Sequence, residues 1–571
     1  MSERLAEAFA LVAVFVLPIV LAEAAPPELP EAEKALADTV DPWGLAFSDQ
    51  LVRFQRHFAD RPDARFALGV THGLVKVLPV KYWYTDSAVP SSPPAGVRPT
   101  DFPERWAAAG ATESFQVVVL PRMGAPEAAY TVSVALDGLP GAQARVYREV
   151  FVQTAEPAYP RLASDRWPDP LIPESRATAS GLDCAVFWVD VDLPPGPGAG
   201  RLTATVTVSD GEEQAVARVP IRVVGGLALD AKTYPLVAWF PRAKLSEEAY
   251  RGMCALALAH HLQPVDALKG AWDPDHPERF DELRAFLAAH GQRLFQVDTP
   301  GAKAFDSLYA HLKEKGWLSS TIAYSNEDEP SGETFREKNA PFMREVREKY
   351  PGLRIFLASD RHPNMEDGCD IWLTDLSASG YDPDRDRDQK RPELWHYYCH
   401  LPVRWQMRAP LVMAPNMQID NPALEHRVAL WMSHYYGARG VFIWAGAYFT
   451  FGEDFWQTLR LSDKPSGFPY AGIHNGNGFL VYPAPQGEGF IPSLRLKVLR
   501  DGMEDLALFA AARERAKAEG LTRAQRRQIE SLIDPAPEVF VRPHHFDRLP
   551  ETLLTRREAL LRELASVSGA P

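Results

Sequence analysis

The hydrophobic period of this chain changes near Tyr234, and that change restricts the fold more than any other feature. Before it, short β-branched and aromatic runs alternate with period two: LVKVLPVKYWY, SFQVVVL, YTVSVAL, ARVYREVFV, AVFWVDVDL, RLTATVTVS and AVARVPIRVV. LDGLPG, LPPGPGAG and SDGEE punctuate these runs as turns. Many short strands so punctuated predict a β-sandwich. After Tyr234, helical stretches such as SEEAYRGMCALALAHH and ERFDELRAFLAAHG alternate with the apolar runs LFQVD, TIAYS, LRIFLAS, IWLTDL, PLVMAPN and GVFIWAG. That alternation predicts a (β/α)8 TIM-like barrel with a C-terminal helical tail.

With 571 residues the chain exceeds what one hydrophobic core organises. The layout expected is a signal peptide over 1–24, a lead-in over 25–73, a β-sandwich over 74–228, a catalytic barrel over 229–515 and C-terminal helices over 516–571. The signal rests on the apolar run Phe9 to Leu21, too short to span a bilayer, followed by the small-x-small segment Ala22-Glu23-Ala24. Export to the periplasm, cell surface or medium is the expectation, with no integral membrane span after signal removal. The formal charge of −14 and the lack of a basic stripe argue against nucleic acid as a partner. The widely spaced Cys184, Cys254, Cys369 and Cys399 read as buried thiols rather than a disulfide framework.

The chemistry concentrates in TIAYSNEDEP. A short apolar strand ends directly in Glu327, Asp328, Glu329 and Pro330, and Pro330 stops the ladder. At the C-terminal rim of a barrel such a cluster faces a substrate cleft; as a solvated loop ahead of a helix N-cap it would do nothing. Glycoside cleavage needs an acid for the leaving oxygen and something to stabilise the oxocarbenium ion. Neighbouring residues on a strand point to opposite faces, so an adjacent Asp-Glu pair does not easily form an opposed dyad. It suits a scheme in which the substrate's own 2-acetamido oxygen attacks the anomeric carbon, Asp orients the acetamide and Glu is the acid.

Several stretches resemble glycoside hydrolase family 123 and its relatives. They are GATESFQVVV (110–119), RWPDPLIP (166–173), NEDEP, WHYYC (395–399), APNMQIDNPALEHR (414–427), GARGVFIWA (437–445), NGNGFLVYP (475–483) and IPSLRLKVLRDGMEDLALF (491–509). The resemblance implies a β-sandwich followed by a barrel. It also implies a retaining, acetamido-assisted β-N-acetylgalactosaminidase acting on a glycan or glycoconjugate, with Asp328 orienting the acetamide and Glu329 as general acid/base. The loop GEDFW (452–456) departs from the family's pattern and leaves the substrate rim open.

Further substrate contacts are expected from residues at or beyond strand ends: Tyr324 beside the acidic cluster, Trp395, Tyr397 and Trp444 as stacking rings, and Asn416 and Asp420 as hydrogen-bonding groups. For each ring, core packing is the competing role. His260 and His261 read as structural, as do Arg495, Arg500 and Glu504, which are expected to lock the last barrel helix to the barrel. DPDRDRDQKRPE (382–393) has Arg387 where a calcium loop needs glycine. No zinc-spaced His/Cys set, G-x-S-x-G, Walker loop or dinucleotide fingerprint occurs, so no metal or cofactor is expected. Two alternatives stay open: a glycosidase on a non-acetamido sugar with a distant carboxylate nucleophile, and a non-catalytic glycan-binding surface protein.

Overall fold

The computed structural model describes Phe58 and residues 63–77, 102–153, 166–376, 392–399, 414–447 and 476–567, with gaps of one to three residues inside several of these stretches. The signal and most of the lead-in lie outside them, as do Asp420, the GEDFW loop and nearly all of 382–393.

Ten strands form the first unit: β1 Phe66–His72, β2 Arg105–Ala108, β3 Thr112–Pro121, β4 Ala128–Asp137, β5 Gln143–Gln153, β6 Arg166–Ile172, β7 Arg176–Ala179, β8 Ala185–Asp192, β9 Gly200–Ser209 and β10 Gln214–Val224. They make two five-stranded sheets, ordered β1-β3-β8-β5-β6 and β2-β10-β9-β4-β7. The alternation predicted from sequence is visible in β9, where Leu202, Ala204, Val206 and Val208 are buried and the residues between them are not. Phe66–His72, which the sequence placed in the lead-in, is a fully buried strand paired antiparallel with β3.

The second unit carries eight parallel strands: β11 Leu236–Ala238, β12 Gln263–Pro264, β13 Phe295–Val297, β14 Thr321–Tyr324, β15 Arg354–Ala358, β16 Ile371–Thr374, β17 Glu393–Tyr398 and β18 Val441–Ile443. Their order is β12-β11-β18-β17-β16-β15-β14-β13. Among the described residues no ladder joins β12 to β13, so the eight strands of the expected barrel form a curled parallel sheet with β12 and β13 at its two ends. Side-chain amides bridge the gap. Gln263 accepts from the Arg293 and Leu294 backbone N–H groups at 2.9 and 3.1 Å, and Gln292 donates to the Pro264 and Leu294 carbonyls.

Helices α1 Glu247–Ala259, α2 Pro277–Ala289, α3 Phe305–Glu314, α4 Ala340–Lys349 and α5 Ala423–Tyr435 lie between successive strands. A final run adds α6 Leu494–Ala516, α7 Arg523–Ile533 and α8 Pro550–Val567. Among the described residues no helix is long and apolar enough to cross a membrane. All four cysteines are buried thiols.

α6 is buried nearly all round, and its polar residues are buried too. Arg495 makes a two-pronged bond to Asp169 at 2.9 and 2.8 Å, and Tyr482 donates to the same carboxylate at 2.5 Å. Arg500 reaches Asp190 through two nitrogens, each at 3.0 Å, and Lys497 bonds the same carboxylate. Asp505 pairs with Arg427 of α5 and Arg557 of α8. Asp169 and Asp190 belong to the sandwich, so Arg495 and Arg500 lock the helix to the sandwich rather than to the barrel alone. Burial by itself would raise the Asp190 carboxyl; Arg500 and Lys497 outweigh it and hold the group well below the ordinary range. Removing one member of such a buried set leaves uncompensated charge, at about 3–5 kcal/mol. Asp190→Asn should therefore lower the unfolding free energy by about that much in denaturant titrations; a change within about 0.5 kcal/mol, ordinary for a surface site, would contradict it.

Glu149 on β5 is 4% exposed, and neither carboxyl oxygen has a hydrogen-bond partner among the described residues. Burial, and then the Asp169 charge, push it up to about 8, against the pull of Lys76. The unfolded chain releases this proton near the ordinary value of 4.5 while the folded chain keeps it. Stability is thus full below that value and is lost as pH rises through about 8. Thermal midpoints should fall across this window and fall less in Glu149→Gln; identical slopes in both proteins would contradict the assignment.

Candidate active site

The inward face of the curled sheet is aromatic. Ile322 and Tyr324 of β14, Phe356 and Ala358 of β15, Trp395 and Tyr397 of β17 and Phe442 of β18 form one cluster, with Trp239 and Trp444 packed against it. Period two explains the set, since alternate residues of each strand face the same side. Trp239 and Trp444 follow the last residues of β11 and β18, at the C-terminal rim where barrel sites form. Trp239 meets Tyr324 edge to face at 5.7 Å and Phe442 at 5.2 Å, and its indole N–H donates to Gln296 at 2.8 Å.

β14 ends at Tyr324 and opens into the acidic turn. Asp328 and Glu329 are exposed, while Ser325 and Pro330 on either side are buried. The Tyr324 hydroxyl donates to Asp328 Oδ1 and accepts from the Ala358 N–H at 3.3 Å. Burial first, then the Asp328 charge, raise the Tyr324 phenol well above its usual range, so it stays a donor. Burial first, then the charges of Cys399, Glu329, Tyr324 and Asp328, raise the phenol of Tyr397, a buried residue of β17, well above its usual range. Glu327 turns aside and pairs with Lys338 at 2.8 Å.

Glu329 has φ of +39°, in the left-handed region. A side chain there costs about 1–3 kcal/mol unless its surroundings enforce it. Ser331 caps the helical turn that follows by accepting from the Thr334 N–H at 3.2 Å. Pro341 cannot supply a helical N–H, and a wide π turn, Phe335–Asn339, precedes α4. That turn carries the fully buried Asn339, whose amide donates to Ser325 Oγ at 2.9 Å and to the Glu327 carbonyl at 3.0 Å. His362 bonds the Pro330 carbonyl from the other side at 3.1 Å.

Of the other residues expected at the site, Trp444 stands at the rim. Trp395 does not: it lies within β17, is 2% exposed, and packs so closely on Gly440 that a Cβ there would come within 2.7 Å of its ring. It is core. Asn416 is buried away from solvent; its backbone N–H reaches Glu425 at 3.3 Å and its carbonyl bonds His426 at 2.9 Å, which ties its loop to α5. Asp420 lies outside the described residues. His260 bonds the Leu256 carbonyl at 2.8 Å, and His261 lies 3.7 Å from Glu504 of α6.

Sequence reasoning missed Trp239, Asp266, Asn339 and His362. A cleft of about 400 Å³ opens beside Trp239, lined also by Arg242, Tyr250, Asp266 and Lys269. Asp266 accepts from the Phe240 N–H at 2.6 Å, yet burial pushes it up to about 6. Aromatic residues just after the apolar run LVA were the available signal for Trp239. β12 is only two residues long, so no run pointed to Asp266.

Aromatic rings, exposed carboxylates and a cleft thus lie at the C-terminal rim of the curled parallel sheet, where sites form on such sheets. Residues 302–512 match the family model for the glycoside hydrolase 123 catalytic domain. This part of the chain is therefore similar to the catalytic domain of that glycosidase family. A solved structure of a family 123 glycoside hydrolase from Clostridium perfringens, studied for glycolipid glycan hydrolysis, superposes with a TM-score of 0.63 at 15% identity, covering 88% of this chain and 100% of that one. That likeness is one of fold. A termite-gut family 10 xylanase with a bacterial Ig-like domain covers 58% of this chain and 91% of its own at 10% identity, with a TM-score of 0.24 too low to carry an argument. No curated protein matches.

Tyr324→Phe removes the hydroxyl bonded to Asp328 while keeping the ring. A loss of about 10²-fold in kcat/KM on a cleaved glycan is expected, the scale of one positioned donor. Unchanged kinetics would separate Tyr324 from the chemistry.

Proposed function

We propose that the protein removes β-linked N-acetylhexosamine, with N-acetylgalactosamine the leading sugar, from glycans by a retaining, acetamido-assisted mechanism. The observation that carries this reading is the adjacency of Asp328 and Glu329 on one exposed turn, with Tyr324 donating to Asp328 Oδ1. Two neighbouring carboxylates suit one acid and one amide-orienting group better than two opposed catalysts. The Clostridium perfringens enzyme hydrolyses glycolipid glycans, and that substrate class fits the reading.

In the first step Glu329 delivers its proton to the glycosidic oxygen as that C–O bond breaks. The acetamide oxygen closes on the anomeric carbon, giving an oxazoline. Asp328, with one oxygen held by Tyr324, uses the other to accept the amide N–H and offset the charge on the ring. In the second step Glu329 takes a proton from water as the water adds to the anomeric carbon and the oxazoline opens. Two inversions give retention. Trp239, Tyr397 and Trp444 offer apolar rings to the C–H faces of the sugar, and Asp266 offers a carboxyl to its hydroxyls. No cofactor enters this scheme. In this reading the segment 1–24 directs export, and Asn416 and Asp420 are candidate hydrogen-bonding groups for the sugar.

Chromogenic β-glycosides of N-acetylgalactosamine and N-acetylglucosamine test the assignment. Glu329→Gln should lose about 10²–10⁴-fold in kcat/KM and Asp328→Asn about 10²–10³-fold. Full activity in both variants, or faster turnover of a glycoside lacking the acetamido group, would overturn it.

A further inference from the structure

We propose that His362 is a positioning residue for the Glu329 carboxyl, acting through the Pro330 carbonyl. The inference rests on Glu329 being the general acid. Glu329 occupies the left-handed region, so its turn needs support from outside itself. Upstream, Asn339 holds Ser325 and the Glu327 carbonyl. Downstream, Pro330 has no N–H, so its carbonyl is the only backbone group left to hold, and His362 Nε2 sits 3.1 Å from it. Donation to a carbonyl places the proton on Nε2. The imidazole is itself fixed, 8% exposed and stacked on Phe335 with ring centres 4.7 Å apart and planes 19° apart. Two side chains, from the helical segment after the turn and from the loop after β15, thus grip the chain on both sides of Glu329. A proton donor must reach hydrogen-bond distance of the leaving oxygen, and small misplacements lose rate steeply.

Leaving-group dependence separates this role from a merely structural one. A 2,4-dinitrophenolate departs without a proton, whereas a sugar hydroxyl needs one. His362→Phe keeps the stacking ring on Phe335 and removes the donor. His362→Asn keeps a polar side chain too short to reach Pro330, so either variant decides if the other does not fold. His362→Gln places an N–H near the former Nε2. Thermal midpoints of the full-length variants are recorded alongside kcat/KM for a 2,4-dinitrophenyl β-N-acetylhexosaminide and for a disaccharide with the same terminal sugar. The Phe and Asn variants should lose about 10–100-fold on the disaccharide and stay close to wild type on the dinitrophenyl substrate. The Gln variant should recover most of the loss. Equal losses on both substrates, or none on either while Glu329→Gln is inactive on the disaccharide, would overturn the role of His362 alone. A fully active Glu329→Gln would overturn the general-acid reading and this inference with it.

Discussion

The interaction on which the rest of the structure depends is the buried set of charges between α6 and the sandwich. A helix carrying Arg495, Lys497, Arg500, Asp501, Glu504 and Asp505 would not ordinarily be buried on every side. It is buried because Asp169 and Asp190 neutralise its cations while Arg427 and Arg557 neutralise Asp505. The sandwich is therefore part of the second unit's foundation. The connection reaches the rim: Arg495 also donates to the carbonyls of Met417 and Gly476, and Gly478 beyond it packs against the Trp444 ring.

From that foundation the structure grades toward exposure at the site. The curled sheet is filled by rigid aromatic rings, and Tyr324 tops that layer with a phenol that stays protonated. The carboxylates sit one turn higher, in solvent, on a backbone that is strained at Glu329. Strain at an exposed acid persists only where neighbours over-determine it. Here Asn339, His362 and Ser331 supply the contacts around the turn. Rigid floor and pinned turn together fix where the adjacent Asp328 and Glu329 stand on the exposed turn.

Both units were legible in the sequence because each has its own hydrophobic period, and the acidic turn was legible because a proline follows three carboxylates at a strand end. What escaped was set by contacts between distant residues. β1 was hidden because FALGVTH is buried throughout and does not alternate. Barrel closure could not be judged because β12 has two residues and its partner contacts come from glutamine side chains. Trp395, Tyr397 and Trp444 all read as strand-end rings in the sequence, and only depth separates the buried rings of β17 from Trp444 at the rim. The sandwich carboxylates Asp169 and Asp190 that Arg495 and Arg500 hold lie 326 and 310 positions away, so the sequence suggested a network but not that it joins two units.

In the proposed mechanism the substrate's acetamide is the nucleophile, and Asp328 and Glu329 serve it. The most direct measurement replaces the acetyl hydrogens of an aryl 2-acetamido glycoside stepwise by fluorine, which drains electron density from the attacking oxygen while scarcely changing its size. With the acetamide as nucleophile, kcat/KM falls with each added fluorine and is lowest for the trifluoroacetyl substrate. Rates that stay level across the series would contradict it and assign the attack to a protein carboxylate or to water.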